Sequence, residues 1–145
     1  MPTRSARTLW SGGLQDGSGQ VELVSSGVGK FDVSFPRRTA DTAEGTSPEE
    51  LIGAAHSSCY SMALSAEIAN AGGTPESLDV SADVTLAPDP AGGFRISKIK
   101  LTVRGRASGL DADGFAAAAL AAKNGCPVSK ALAGVAEIEL DAALG

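Results

Sequence analysis

The feature that most constrains the fold of this chain is a long, almost uncharged segment near its middle. Residues 51–71 repeat apolar side chains at helical spacing, and Glu67 is their one charged residue. Ser47 can cap the start of this helix, and Glu50 lies three residues later, as a capping box requires. Gly72 and the glycine after it mark the end. A helix with so few charges is predicted to be buried on most of its sides.

Alternation of apolar and polar residues on either side of this helix predicts β-strands. The strand candidates are residues 6–10, 20–25 and 31–35 before the helix, and residues 78–86, 94–106 and 135–140 after it. An alanine-rich second helix is predicted over residues 111–124, and a helical turn over 127–133. The alternation changes parity near Ser97 and Lys98, which predicts a β-bulge or a twist there. This order predicts a single α+β domain over residues 1–145, with antiparallel sheets rather than a parallel βαβ layout, and two main helices.

The charge and hydropathy of the chain exclude several classes of protein. A net charge of −5 argues against a nucleic-acid surface, which needs a basic excess, and attracts no anionic membrane. No apolar run approaches the roughly 20 residues of a membrane helix, and the N-terminus lacks the apolar segment of a secretory signal. We therefore expect a cytoplasmic protein that binds neither nucleic acid nor membrane.

The two cysteines are the first candidates for chemistry, although a free cysteine is also a good small core residue. Cys59 lies in the middle of the long helix, on an apolar face that it shares with Ile52, Ala55, Met62 and Ala66. Cys126 lies between a helix end and the start of the next helical turn, where free N–H groups favour a thiolate. Cys126 is therefore predicted to ionise more easily. Two such thiols can meet in space as an attacking and a resolving pair.

Other candidates carry weaker signals. His56, the one histidine, precedes Cys59 by three residues. One interpretation of His56 is a cysteine–histidine hydrolase pair. A second is a zinc site with both cysteines, which lacks a clear fourth ligand. The favoured interpretation is a hydrogen-bonded histidine in the interior or at an interface. Arg37 and Arg38 precede the long helix and are either solvated or turned inward to stabilise a thiolate. Glu49 complements the dipole at the helix start.

Two motifs centred on the cysteines resemble the OsmC/Ohr family of osmotically inducible and organic-hydroperoxide-resistance proteins. Residues 45–64 read GTSPEELIGAAHSSCYSMAL, and residues 122–132 read AKNGCPVSKAL. The G-A-A-H-x-x-C form and the opening LWSG at residues 9–12 resemble the OsmC branch more than the Ohr branch. The order of elements fits this family over the whole chain.

The resemblance implies an OsmC-like fold and a thiol peroxidase that needs no metal, haem or flavin cofactor. It implies Cys59 as the peroxidatic thiol and Cys126 as the resolving thiol, which close an intramolecular disulfide. It adds Glu49 and an arginine of the preceding loop, for which Arg38 fits better and Arg37 is the alternative. The implied reductant is a dithiol such as a dihydrolipoyl group, and the implied role is defence against oxidative and osmotic stress.

The position of Glu49 predicts a dimer. Glu49 and Cys59 are ten residues apart on one helix, about 15 Å along its axis, so both serve one site only if a second chain contributes Glu49 or the helix breaks. The small residues on the helix surface favour the first alternative, an intertwined homodimer with active sites at the interface. An apolar lining that includes Ile52, Met62 and Leu120 is predicted to favour organic hydroperoxides.

Two other classes of function compete with the peroxidase. A cysteine–histidine hydrolase would depend on His56. A non-enzymatic relative would bind a hydrophobic ligand without turnover. The presence of both cysteines and of the arginine argues against the second class.

Overall fold

The computed structural model describes residues 1–145, which form two compact units, Met1–Leu51 and Ile52–Gly145. In the first unit, β1 (Arg7–Ser11), β2 (Ser18–Glu22) and β3 (Lys30–Val33) form an antiparallel sheet in that order. The three predicted strands before the long helix are therefore present, with shifted ends.

The first unit also contains a short helix, α1 (Phe35–Thr39), where the sequence predicted a strand end and a loop. The Ser34 side chain caps it by accepting a hydrogen bond from the backbone N–H of Arg37 at 3.3 Å. Pro36 lies in the first turn, where no N–H is required of it. The prediction was wrong here because it followed the apolar–polar alternation up to Phe35 and overlooked Ser34 as a helix cap.

The long helix is α2 (Pro48–Asn70), and its predicted start and end are confirmed. The backbone N–H of Glu50 donates to the Ser47 hydroxyl oxygen at 3.1 Å. At the other end the N–H of Gly73 donates to the Ile68 carbonyl at 3.0 Å, and Gly72 adopts φ 89°. Only a glycine adopts this conformation readily, so the residue pattern sets the end of the helix.

The prediction that α2 is buried on most sides was wrong for the single chain. Within the second unit, five residues at helical spacing form its buried stripe: Gly53, His56, Tyr60, Leu64 and Ile68. The face with Ala55, Met62 and Ala66 is exposed, and Cys59 lies partly buried beside it. Few charges indicate that a helix can be covered on many sides, but within one chain the core covers only one of them.

The second unit contains β4 (Thr74–Pro88), β5 (Phe94–Ser108) and β6 (Glu137–Leu144), in that order within one sheet. β4 and β5 are antiparallel, and the predicted bulge is confirmed because Thr85 pairs with Lys98 but Leu86 with Ile96, which leaves Ser97 unpaired. The predicted all-antiparallel sheet is wrong at β6.

β6 runs parallel to β5. The connection between them contains α3 (Ala112–Gly125) and α4 (Pro127–Ala131), and a helical crossover of this length allows the chain to re-enter the sheet in the same direction. The fold is therefore α+β with one antiparallel and one mixed sheet.

The hydrophobic core of the second unit packs α2 and α3 on this sheet. Its fully buried side chains include Tyr60, Leu64, Ile68, Leu101, Val103, Phe115 and Cys126. The Phe115 ring lies so close to Gly105 that a Cβ there would come within 2.7 Å of it. No helix of the chain combines the length and apolar character needed to cross a lipid bilayer.

Candidate functional site

The second unit brings the two cysteines together from sequence positions 67 residues apart. The Sγ atoms of Cys59 and Cys126 lie 2.9 Å apart as free thiols, one donating a hydrogen bond to the other sulfur. A disulfide bond measures about 2.05 Å, so oxidation of the two thiols to a disulfide would need only a small movement of their side chains. Cys126 has no exposed surface, whereas Cys59 is partly exposed.

The backbone fixes Cys126 from both sides. It is the C-cap residue of α3 and also the N-cap residue of α4, whose first residue is Pro127. Its N–H donates to the Ala122 carbonyl at 2.9 Å, and its carbonyl accepts from the Lys130 N–H at 3.0 Å. These two bonds hold the Cys126 sulfur against α2, where Cys59 is located.

The two thiols differ in acidity. Burial raises the pKa of Cys126, but hydrogen bonds from Cys59, from the backbone and side chain of Ser129 and from the Val128 backbone outweigh it and hold this pKa below its ordinary value. Burial and the hydrogen bond with Cys126 raise the pKa of Cys59. This order agrees with the expectation from the residues that Cys126 ionises more easily.

The first unit contains a second polar pair, Arg38 and Glu49. Arg38 Nη2 lies 2.7 Å from Glu49 Oε1, and Arg38 Nε donates to the two carboxylate oxygens at 3.0 and 3.2 Å. α1 carries the arginine, the first turn of α2 carries the glutamate, and Glu49 is buried. Of the two candidate arginines, Arg38 is the one that pairs with Glu49.

His56 is buried in the second unit, as the favoured interpretation expected. Its Nε2 lies 2.7 Å from the Ser129 Oγ, and its Nδ1 has no hydrogen-bond partner. Burial lowers the pKa of His56, which keeps the imidazole neutral. No group of three histidine, cysteine or acidic side chains is placed to hold a metal ion. Sequence reasoning did not single out Ser129, although it lies in the second cysteine motif.

The three residues predicted to line an apolar substrate site lie at the surface of the second unit. Met62 is 71% exposed, Leu120 is 52% exposed and Ile52 is partly buried. Met62 and Cys59 lie three residues apart on α2. Met62 therefore lies about one helical turn from Cys59, and its side chain is exposed in the single chain.

The chain is similar to known proteins over nearly its whole length. The family model for OsmC-like protein matches residues 41–141. The chain is 44% identical to peroxiredoxin OsmC of Escherichia coli, over 95% of this chain and 94% of that protein. It is 30% identical to the organic hydroperoxide resistance protein OhrB of Bacillus subtilis, over 79% and 82% of the two chains.

A solved structure agrees with the fold. The organic hydroperoxide resistance protein OsmC of Legionella pneumophila superimposes with a TM-score of 0.75 at 25% identity, over 99% of this chain and 98% of that chain. Both cysteine motifs lie within the residues that the family model matches. Of the two relatives, the OsmC protein has the higher sequence identity to this chain. The chain therefore belongs to the OsmC family of cysteine-based peroxidases.

Proposed function

We propose that this protein reduces organic hydroperoxides to alcohols, with Cys59 as the attacking thiol and Cys126 as the resolving thiol. The observation that carries the proposal is the 2.9 Å separation of the two sulfur atoms. The names of the two curated relatives, a peroxiredoxin and an organic hydroperoxide resistance protein, support the substrate class.

The proposed reaction has three steps. The Cys59 thiolate attacks the distal peroxide oxygen, the O–O bond breaks, and the alkoxide takes a proton to leave as the alcohol. The Cys126 thiolate then attacks the Cys59 sulfenic sulfur, and the departing hydroxide takes a proton to become water. Finally a small dithiol, such as a dihydrolipoyl group, reduces the disulfide by two exchanges and becomes a disulfide itself.

The difference in access supports the proposed roles of the two thiols. Cys59 is partly exposed, whereas Cys126 is fully buried behind it, so an external peroxide reaches Cys59 first. Because burial raises the pKa of Cys59, its thiolate needs a nearby cation. We assign that role to Arg38, which Glu49 orients through the short ion pair.

A second chain would supply this arginine. α2 is continuous over Pro48–Asn70, so Glu49 and Cys59 of one chain lie about 15 Å apart along the axis. Large apolar side chains are exposed in both units, among them Leu9, Trp10, Phe31, Met62 and Leu120. A second copy of the chain would cover them, as an intertwined homodimer with the active sites at the interface.

The same interface would form the substrate site. With a partner covering them, Ile52, Met62 and Leu120 become the lining of an apolar cavity beside Cys59. Each Å² of hydrocarbon that is buried there contributes about 25 cal/mol, which favours organic hydroperoxides over hydrogen peroxide. A single domain over residues 1–145 and a cytoplasmic location remain predictions alongside this proposal.

The test is consumption of cumene hydroperoxide by the pure protein with dihydrolipoamide. Cys59→Ser is expected to abolish turnover. Cys126→Ser is expected to lose steady-state turnover and to accumulate sulfinic acid at Cys59 under excess peroxide, because no thiol resolves the sulfenic acid. Ser58→Ala is the matched control, since the exposed Ser58 hydroxyl donates only to the Ala55 carbonyl of its own helix.

Two outcomes would contradict the proposal. Equal turnover by wild type and Cys59→Ser would remove the thiol mechanism. Absence of turnover by wild type, with both thiols free, would favour a non-enzymatic ligand-binding protein. The hydrolase alternative has less support, because the His56 imidazole hydrogen-bonds Ser129, and a His56→Ala variant with full peroxidase activity would exclude it.

A further inference from the structure

We propose that His56 and Ser129 are positioning residues for the resolving step, which direct the Ser129 hydroxyl proton at Cys126 and hold its sulfur as a thiolate. This inference rests on the proposed function, in which Cys126 attacks the Cys59 sulfenic acid. It assigns a role to the one buried histidine, which the peroxidase mechanism above does not use.

Three buried side chains, His56, Ser129 and Cys126, lead to the partly exposed Cys59. His56 Nε2 lies 2.7 Å from the Ser129 Oγ. Ser129 lies three residues after Cys126, the N-cap residue of α4, and hydrogen bonding from Ser129 contributes to the lowered pKa of Cys126. The Cys126 sulfur in turn lies 2.9 Å from Cys59. His56 and Cys126 have no exposed surface and Ser129 has 7%, so water does not replace these contacts.

The unpartnered Nδ1 of His56 sets the direction of the hydrogen bonds. A neutral imidazole has one N–H, and an N–H at Nδ1 would be a buried donor without an acceptor. We therefore assign the proton to Nε2, which donates it to the Ser129 Oγ. The Ser129 oxygen then accepts the hydrogen bond from the imidazole, and its own O–H is free to donate to the Cys126 sulfur.

A buried thiolate needs this donor because it has lost its hydration. Burial holds the pKa of His56 down, so the ring is neutral and acts through the hydroxyl rather than through charge. The Tyr60 hydroxyl donates to the Ala119 carbonyl at 2.8 Å and is not available to Cys126. Two cations, Lys123 and Lys130, line a surface cavity with Ser129, and they stay unchanged in every variant below.

The resolving step balances without a further reactant. The Cys126 thiolate forms the S–S bond, the S–O bond of the Cys59 sulfenic acid breaks, and the hydroxide takes up one proton. That proton equals the one that the Cys126 thiol released on ionising. Ser129 keeps its own proton throughout, which is why it is a positioning residue and not a general base.

The first experiment titrates Cys126 alone. In a Cys59→Ser background Cys126 is the one remaining cysteine, and thiolate absorbance at 240 nm against pH measures its pKa. Adding Ser129→Ala or His56→Leu is expected to raise that pKa by about one unit, because each removes the directed donor. His56→Gln, whose amide can donate to the Ser129 Oγ, is expected to restore it, and Ser58→Ala is the control with no change.

The second experiment measures the resolving step with both cysteines present. After one equivalent of cumene hydroperoxide, disappearance of the sulfenic acid is expected to slow about threefold in Ser129→Ala below the pKa of Cys126. A pKa raised by one unit lowers the thiolate fraction about tenfold, while the more basic thiolate is about threefold more nucleophilic. Above the pKa of the variant thiol the slowing is expected to reverse into an acceleration of about threefold, which a merely structural defect would not do.

The proposal is overturned if Ser129→Ala and His56→Leu leave both the pKa of Cys126 and the resolving rate at the control values. It is also overturned if His56→Gln is as defective as His56→Leu. Circular dichroism checks the fold of each variant, and Ser129→Ala alone carries the test if His56→Leu unfolds. Because the titration needs no turnover, its failure is distinguishable from failure of the peroxidase proposal.

Discussion

The two units of the chain are stabilised by different means. In Met1–Leu51 the buried residues are Gly17 and Glu49, and large side chains such as Leu9 and Trp10 are 66% and 44% exposed. Ile52–Gly145 instead buries a contiguous apolar cluster that includes Cys126. The first unit is therefore defined by its strand ladder, a cap and an ion pair, and the second by packing.

The polar pairs of the two units differ in the same way. Arg38 and Glu49 are charged and joined by a short ion pair, which needs only residues close in the sequence. Cys59 and Cys126 lie close together only because a core assembles around them. A unit with few buried apolar groups can therefore hold a short ion pair, while its large apolar side chains stay exposed in the single chain.

The largest expected effect tests whether a second chain covers the exposed apolar surface of the first unit. Glu49→Gln and Cys59→Ser proteins are each expected to lose nearly all peroxidase activity. When the two chains are co-expressed and mix at random, about a quarter of the sites regain a wild-type Cys59 and a wild-type Glu49 if the two come from different chains. Cumene hydroperoxide consumption by the mixture measures this.

Mixtures of each variant with itself are the controls. Co-expressed chains with no more activity than either variant would show that Glu49 does not serve the Cys59 of a second chain. The comparison between the units would then lose its functional meaning, since a single chain would contain the whole site.

The next effect tests the difference in side-chain packing between the two units. Leu64→Ala empties a fully buried position of the second unit and is expected to lower the free energy of unfolding by about 2–5 kcal/mol. Leu9→Ala removes an exposed side chain of the first unit, so its effect is expected to appear as a weaker dimer and to depend on protein concentration. Urea denaturation at two concentrations separates them, and equal, concentration-independent losses would contradict the comparison.

The smallest effect concerns pH. The folded-state pKa of His56 is lowered by burial from its ordinary value of 6.5, so the unfolded chain binds the proton more readily. His56 therefore contributes stability that is present above pH 6.5 and is lost as the pH falls below it. Wild type is expected to lose more stability between pH 7 and pH 5 than His56→Gln, measured by urea denaturation at each pH.

Parallel pH profiles for the two proteins would contradict this prediction. Such a result would show that His56 is protonated without cost in the folded chain, against its complete burial. Ser58→Ala is again the control, and its profile is expected to follow that of wild type.

Local chemistry allowed much of the fold to be predicted from the residues. The Ser47 cap, the Gly72 stop and the bulge at Ser97 all depend on hydrogen bonds or steric limits between close neighbours in sequence or across one hairpin. The two cysteine motifs likewise singled out the two cysteines whose sulfur atoms lie 2.9 Å apart. The capped helix α1 was missed because its signal, Ser34 followed by Pro36, is short and lies inside an alternating pattern.

Only the tertiary structure decided what depends on distant parts of the chain. The parallel placement of β6, the single buried stripe of α2 and the contact of His56 with Ser129 all arise when elements pack. Periodicity records which side chains are apolar, but it does not record which surface covers them or which way a crossover returns. By itself the sequence determined most of the elements, the cap and the end of α2, and the candidate cysteines. Packing decided which of those residues meet, because close packing joins positions that no local pattern relates.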